Sequence, residues 1–328
     1  MNKMNKKVIA VITAIMLLAT CLTGCGGGGD KAADPARISF ASGGTSGTYY
    51  PIAGAISTLW TDKVEGLTVD VQSTGASAEN LNLINKGEAE VALVQNDVMY
   101  YAYTATESFA GVDKHESFLT LGTVYPEVVQ LVVAGDAGIE TLADLKGKAV
   151  SIGDVGSGVE SNAKQILAAA GIGLDEITVR NLGFGESANG IKDKTLDAAF
   201  VTAGTPTTAV TELAATNDIK VLSLDQAVID QLCADYGYYT EFVIPADVYG
   251  TDADAKTVAV KATIVVKADL SEGLVYNMTK ALFENLDVVA ESHAKGKELS
   301  LKGAVDGVSV PLHPGAAKYY AEQGLDVE

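Results

Sequence analysis

Short apolar runs alternate along the chain with stretches whose apolar residues recur every three or four positions. Ile38-Ser39-Phe40-Ala41 reads as a strand, followed by a Gly/Ser/Thr loop and a helix from about Tyr50 to Lys63. Leu67 to Gln72 alternates as a strand, Ala76 to Lys86 has helical spacing, and Val91-Ala92-Leu93-Val94 is apolar throughout. Continuous apolar runs suit parallel strands covered on both faces, and the order strand-helix-strand-helix-strand is an α/β signature.

Val128 to Ala134 is a strong strand pattern after Tyr125-Pro126, and Leu142 to Lys148 has the character of a short helical turn. A second α/β series then predicts strands near 149–153, 177–182, 198–202 and 220–224, with helices near 158–170, 186–194, 206–216 and 225–236. Phe242–Pro245 and a strand at Ala262–Lys267 follow. A helix over 272–290 carries Leu274, Met278, Leu282 and Leu286 on one face, and a last helix spans about Pro314 to Gly324. Two α/β series of similar size suggest two lobes. Open α/β sheets bind ligands beyond the carboxyl ends of their strands, so a cleft between two such lobes would collect two sets of loops.

The first residues read differently. Lys3, Lys6 and Lys7 precede an apolar stretch from Val8 to Ala19, shorter than the roughly 20 residues of a spanning helix. This is the pattern of a secretory signal. It ends in Leu22-Thr23-Gly24-Cys25, which resembles the bacterial lipobox, in which the cysteine is acylated. Residues 1–24 are thus expected to be a lipoprotein signal peptide, Cys25 the lipidation site, and 25–36 a flexible, glycine-rich tether.

The 328 residues include 42 acidic and 23 basic side chains, a formal net charge of −19. That balance speaks against nucleic-acid binding and against docking on anionic lipid by charge. A hydrophobic content of 48% with 20% charged residues supports ordinary globular cores. With Cys25 acylated and Cys21 removed, Cys233 has no partner for a disulfide and reads as a small buried hydrophobe.

Five loops stand between predicted strands and helices. Ser42-Gly43-Gly44-Thr45-Ser46-Gly47-Thr48-Tyr49-Tyr50-Pro51 holds more glycine and hydroxyl groups than a helix cap requires, and its tyrosines can wall a site. Ser73-Thr74-Gly75-Ala76-Ser77 taken alone is an ordinary helix cap. Gln95-Asn96-Asp97 puts Gln95 at a strand's carboxyl end. Gly153-Asp154-Val155-Gly156-Ser157-Gly158 opens a helix, where free N–H groups and the positive helix end suit a carboxylate. Thr202-Ala203-Gly204-Thr205-Pro206-Thr207 is the fifth. Phosphate-loop and dinucleotide spacings are absent. Gly185-Glu186-Ser187-Ala188-Asn189 fails as a nucleophile elbow at its last position, His115, His293 and His313 lie far apart, and no CxxC occurs. No catalytic residue, metal site or cofactor is expected. Arg37 and Arg180 are the only arginines and read as surface charges, so carboxylate recognition would rest on hydroxyls and backbone N–H groups.

The stretch from Ala41 to Pro51 resembles the opening motif of the TAXI family of solute-binding proteins, which serve TRAP transporters. Further matches are Ser73 to Asn80, Ala92 to Asp97, Leu142 to Lys148, Gly156-Ser157-Gly158 (with Val159 where that family has Thr) and Val310 to Ala316 followed by Lys318-Tyr319-Tyr320. The resemblance covers nearly all of residues 37–324. It implies a two-lobed α/β periplasmic-binding-protein fold of type II kind with the ligand cleft between the lobes, residues 37–126 plus 262–328 forming one lobe and 127–261 the other. It also implies hinge closure on a small carboxylate, of the glutamate, glutamine or 2-oxoglutarate kind, and delivery to an ion-coupled TRAP permease. The carry-over places Gly44, Thr45, Tyr49, Thr74, Ser77 and Gln95 at the ligand from one lobe, Ser157, Gly158, Val159, Thr202 and Gly204 from the other, and Tyr125 as a cover at the crossover. The implied protein is a non-enzymatic monomer outside the cytoplasm, held to the membrane by its lipid. Alternatives are the same fold serving a membrane sensor kinase, an exported hydrolase using two carboxylates, and a surface adhesin.

Overall fold

The structure, a computed structural model, describes residues 36–327; the expected signal peptide, the expected lipidation site Cys25 and most of the expected tether lie outside the described residues. Ten strands form one curled sheet in the order β2-β1-β3-β10-β4-β7-β5-β6, with β8 added on β4 and β9 on β10. Strands β1 (Arg37–Ala41), β2 (Thr68–Gln72) and β3 (Val91–Gln95) are parallel. So are β5 (Ala149–Ser151), β6 (Thr178–Arg180) and β7 (Ala198–Ala203). Two long antiparallel strands, β4 (Phe118–Ala134) and β10 (Ala255–Lys267), join the two halves. The last two strands are β8 (Ile219–Leu222) and β9 (Thr240–Ile244).

Helix α1 (Tyr49–Lys63) follows β1, α2 (Ser77–Lys86) follows β2, and α3 (Asn96–Thr104) follows β3. In the other half α4 (Gly158–Ala169) follows β5, α5 (Phe184–Lys192) follows β6, α6 (Thr208–Ala214) follows β7 and α7 (Gln226–Asp235) follows β8. The chain ends with α8 (Glu272–Phe283), α9 (Leu286–Ser292) and α10 (Pro314–Glu322). β3 is buried at all five positions because helices cover both its faces. α1 buries Ile52, Ala53, Ile56, Leu59 and Trp60, one stripe at helical spacing, and Trp60 donates its indole N–H to the Met278 carbonyl at 2.8 Å.

The core comes in separate pieces. One set of buried apolar residues runs through positions 38–125 and 262–320, with Phe40, Trp60, Ile264 and Tyr320 among its fully buried members. Another runs through 128–260, around Val129, Ile166, Phe200 and Val258. No buried member is shared between them, so the molecule has two lobes, and only β4 and β10 contribute to both. Where those strands pass from lobe to lobe, Pro126 stands opposite Lys261, and the register shifts between Lys261 and Thr263.

Four features depart from the sequence expectation. β4 begins at Phe118, well before Val128, and runs straight through Pro126, because the irregular register there tolerates a residue without an N–H. β10 likewise begins at Ala255 rather than Ala262. The helix expected over 272–290 breaks into α8 and α9 at Asn285, whose backbone (φ −140°, ψ 44°) leaves the helical region. Cys233, expected to be buried, is half-buried at the edge of the second-lobe core.

Candidate functional site

A cavity of about 320 Å³ lies where the carboxyl ends of the parallel strands of both lobes meet. The first lobe contributes Gly43–Tyr49 after β1, Ser73–Ser77 after β2, and Gln95 at the end of β3. The second contributes Asp154 and Ser157–Val159 after β5, Gly183–Glu186 after β6, and Thr202 and Ala203 at the end of β7. α1, α2, α4 and α5 all begin at this cavity, which brings four positive helix ends to its wall.

The loops are held by their own side chains. Thr74 donates its hydroxyl to the Ser42 carbonyl (3.1 Å) and to Asn80 Oδ1 (2.6 Å), while Asn80 Nδ2 donates to Ser42 O and Leu93 O. Ser77 Oγ accepts from the Gln95 N–H at 3.1 Å, and Ser157 Oγ caps α4 by accepting from Glu160 N. Gly153, at φ +89°, takes the left-handed turn that a side chain rarely adopts, and a Cβ there would press on Val159 and Ser157.

The lobes touch around the cavity. Ala78 N donates to Gly156 O at 3.1 Å, Ala209 N to Ser46 O at 3.3 Å, and Thr48 Oγ1 to Gly204 O at 3.4 Å. Behind these contacts a buried polar chain crosses from α3 to α4. Asn162 Nδ2 donates to Asp97 Oδ2 and to Tyr239 Oη, each at 2.8 Å. Tyr239 donates in turn to Gln165 Oε1, and Gln165 Nε2 to the Tyr101 hydroxyl.

Of the residues the sequence singled out, Gly44, Thr45, Tyr49, Thr74, Ser77, Gln95, Ser157, Gly158, Val159 and Thr202 come together on this wall. Tyr125 and Gly204 do not. Tyr125 is packed into the first-lobe core with its hydroxyl buried and unpartnered, and Lys295 and Thr48 close over Gly204, which leaves Ala203 facing the cavity. Sequence reasoning missed Glu127, Asp154 and Glu186, which also line it. Glu127 was marked only by being an acid inside the apolar run of β4.

Glu127 dominates the electrostatics. It is 2% exposed, accepts the Tyr49 hydroxyl, and lies 3.4 Å from Gln95 Nε2. Burial pushes its carboxyl up to about 8, against the pull of those two hydrogen bonds. Burial and the neighbouring Glu186 and Glu79 raise Asp154 as well. Among the described residues no group of three His, Cys, Asp or Glu side chains is placed to hold a metal ion.

A sequence model described as the NMT1-like family matches residues 40–324. The chain belongs to the NMT1-like family. The fold agrees with solved binding proteins. A binding protein component of an ABC phosphonate transporter from Pseudomonas aeruginosa superposes with a TM-score of 0.52 at 14% identity, covering 80% of this chain and 79% of the other. A putative L-cystine ABC transporter protein from Listeria monocytogenes gives 0.50 at 16% identity, covering 80% and 98%. The NMT1-like chain therefore has the two-lobed periplasmic-binding-protein fold, with no helix among the described residues long and apolar enough to cross a membrane.

Proposed function

We propose that this protein is an extracytoplasmic solute receptor that closes its two lobes on a small polar ligand. One observation carries the reading: a single cavity is walled by strand-to-helix loops of both lobes, and backbone hydrogen bonds join the lobes at its rim. A ligand held in this way stabilises the closed form by its greater affinity for it. The ten residues gathered on the wall are the ligand contacts in this reading. The lobes divide at Pro126 and Lys261, opposite each other in the ladder, so that 37–126 plus 262–328 form one and 127–261 the other.

The ligand carries a carboxylate, of the glutamate, glutamine or 2-oxoglutarate kind, set against the loop N–H groups and the α4 N-terminus. The motif resemblance supports a TAXI-type receptor, acylated at Cys25, that hands its ligand to a TRAP permease as a monomer without chemical change. A gene for a multi-span permease beside this one would support that partner; one for a sensor kinase would oppose it.

Titration calorimetry on protein refolded to strip carried-over ligand tests the receptor reading. One-to-one saturable binding is expected, with about 2.7 kcal/mol of added stability at 100 times Kd. Failure of glutamate, glutamine, 2-oxoglutarate and C4 dicarboxylates to bind removes the carboxylate assignment.

A further inference from the structure

A second contact between the lobes stands apart from the cavity. The polar chain Asp97–Asn162–Tyr239–Gln165–Tyr101 passes back and forth between them. Asp97 and Tyr101 lie on α3 of the first lobe, Asn162 and Gln165 on α4 of the second, and Tyr239 just before β9. All five side chains are buried, and none lines the cavity. Beside them Tyr238, a second-lobe residue, packs on the first-lobe core, edge-on to Tyr101 with ring centroids 5.6 Å apart. α3 begins right after Gln95 and α4 begins at Gly158, two residues that touch across the cavity. A swing about the crossover at Pro126 and Lys261 that parts Gln95 from Gly158 also parts Asp97 from Asn162.

The chain is one donor short. Asn162 commits its amide N–H groups to Asp97 Oδ2 and Tyr239 Oη, the Tyr239 hydroxyl goes to Gln165 Oε1, and Gln165 Nε2 goes to the Tyr101 hydroxyl. Asp97 Oδ1 and Asn162 Oδ1 remain buried without a hydrogen-bond partner. Both belong to the side-chain pair that crosses from α3 to α4. A proton on Asp97 turns one idle acceptor into the missing donor and removes a buried negative charge. No cation does so instead. The titratable groups that face Asp97 are Tyr101 on α3, Tyr238 and Tyr239 before β9, and Glu127 on β4. The charges on the elements packed against α3 are engaged elsewhere or exposed. Lys261 and Lys267 of β10 pair with Asp306 and Asp269, Glu160 and Lys164 of α4 pair with each other, and Glu79 of α2 accepts from the Gly75 N–H. Lys86, Glu107 and Lys256 are exposed.

We propose that this chain is a latch between the lobes, made on closure and broken on opening, and that closure takes up one proton at Asp97. The latch rests on the two-lobed closure inferred above. In the open form water reaches the carboxyl and stabilises its charge. In the closed form burial raises it from 3.8 to about 6, against the pull of the Val98 N–H and the Asn162 amide. Between those two values the closed form holds a proton that the open form has released. Acid therefore favours closure, and the advantage is lost as pH rises through about 6. Glu127, held up at about 8, titrates above this window. The contribution is the same for every solute, because Asp97 does not line the cavity.

Amide hydrogen exchange on ligand-stripped protein tests the latch without a solute. The Ala78 and Ala209 N–H groups donate across the lobe interface, to Gly156 O and Ser46 O, so their protection follows the balance of closed and open forms. Corrected for intrinsic exchange, that protection is expected to fall on the order of tenfold between about pH 4.5 and 6.5. Asp97→Asn supplies the missing donor as an N–H and carries no titrating proton, so it should keep the protection and abolish the fall. Tyr239→Phe should lower protection at both pH values by a similar factor and keep the fall. If Asp97→Asn fails to fold, the wild type and Tyr239→Phe decide. Protection that is flat or rises with pH, an undiminished fall in Asp97→Asn, or unchanged protection in Tyr239→Phe overturns the latch and leaves the receptor reading intact. If the two amides exchange only as slowly as the core amides of β3, the lobes do not part, and the latch and hinge closure fall together.

Discussion

The side-chain amide of Gln95, at the end of β3, lies directly on the Cα of Gly158, at the start of α4 in the other lobe. A Cβ at position 158 would overlap that amide. The two residues therefore meet only because one of them has no side chain, and their contact belongs to the closed arrangement of the lobes. Gly158→Ala is expected to push the Gln95 amide, the far end of a flexible side chain, off its place on the cavity wall while leaving each lobe's core intact. Ligand affinity should fall at least tenfold, about 1.4 kcal/mol, with the ligand-free melting transition unchanged. Unaltered affinity in calorimetry would show that the loop yields.

Two buried carboxyls make stability depend on pH in an unusual direction. Burial raises Glu127 from 4.5 to about 8 and Asp97 from 3.8 to about 6. Between each pair of values the native protein holds a proton that the unfolded chain has released, so stability falls as pH rises. The ligand-free protein should lose stability from about pH 4 to 8. Glu127→Gln should flatten the upper part of that decline and Asp97→Asn the lower part, as read from denaturant midpoints across the range. A decline of the same steepness in both variants would contradict this origin.

Asn162 is the one side chain that donates to both Asp97 and Tyr239, and it is fully buried. Asn162→Leu removes the donor to a buried acid and breaks the chain from α3 to α4. A loss of about 1.5–3 kcal/mol is expected, the range for a hydrogen bond to a charged group. It should be measured by urea unfolding above pH 7, where Asp97 is ionised. Below pH 5, with Asp97 protonated, the loss should shrink.

Trp60 is the only tryptophan. It is fully buried in the first-lobe core, stacked on Phe40 with ring centroids 5.7 Å apart, and it does not line the cavity. Its emission should shift to the red on unfolding and stay in place when ligand is added. Ligand binding is therefore expected to be silent in tryptophan fluorescence, and a shift of the emission maximum at saturating ligand would mean that closure disturbs the first-lobe core.

Much of the fold was legible because the parallel strands announce themselves. Val91–Val94 has no polar position, and a run covered on both faces needs none. The loops after β1, β2, β5 and β7 were legible for the opposite reason, since Gly44, Thr45, Ser77, Ser157 and Gly158 stand out by residue type. β4 was half hidden because Pro126 looks like a strand's beginning, and only its pairing with Lys261 across an irregular register shows that the strand continues. Tyr125 was assigned to the cleft from its position near the crossover, but side-chain direction, invisible in a sequence, turns it into the core.

The order of apolar and polar residues by itself determined the α/β class, the two series of elements and the strand-ending loops that meet at the cavity. Each of these follows from local periodicity and local backbone chemistry. Tertiary structure alone decided the character of the site. Glu127, Gln95 and Thr202 are separated by 32 residues or more in sequence yet share one wall. The raised carboxyl of Glu127 exists only because folding removes water from it without bringing a cation in return.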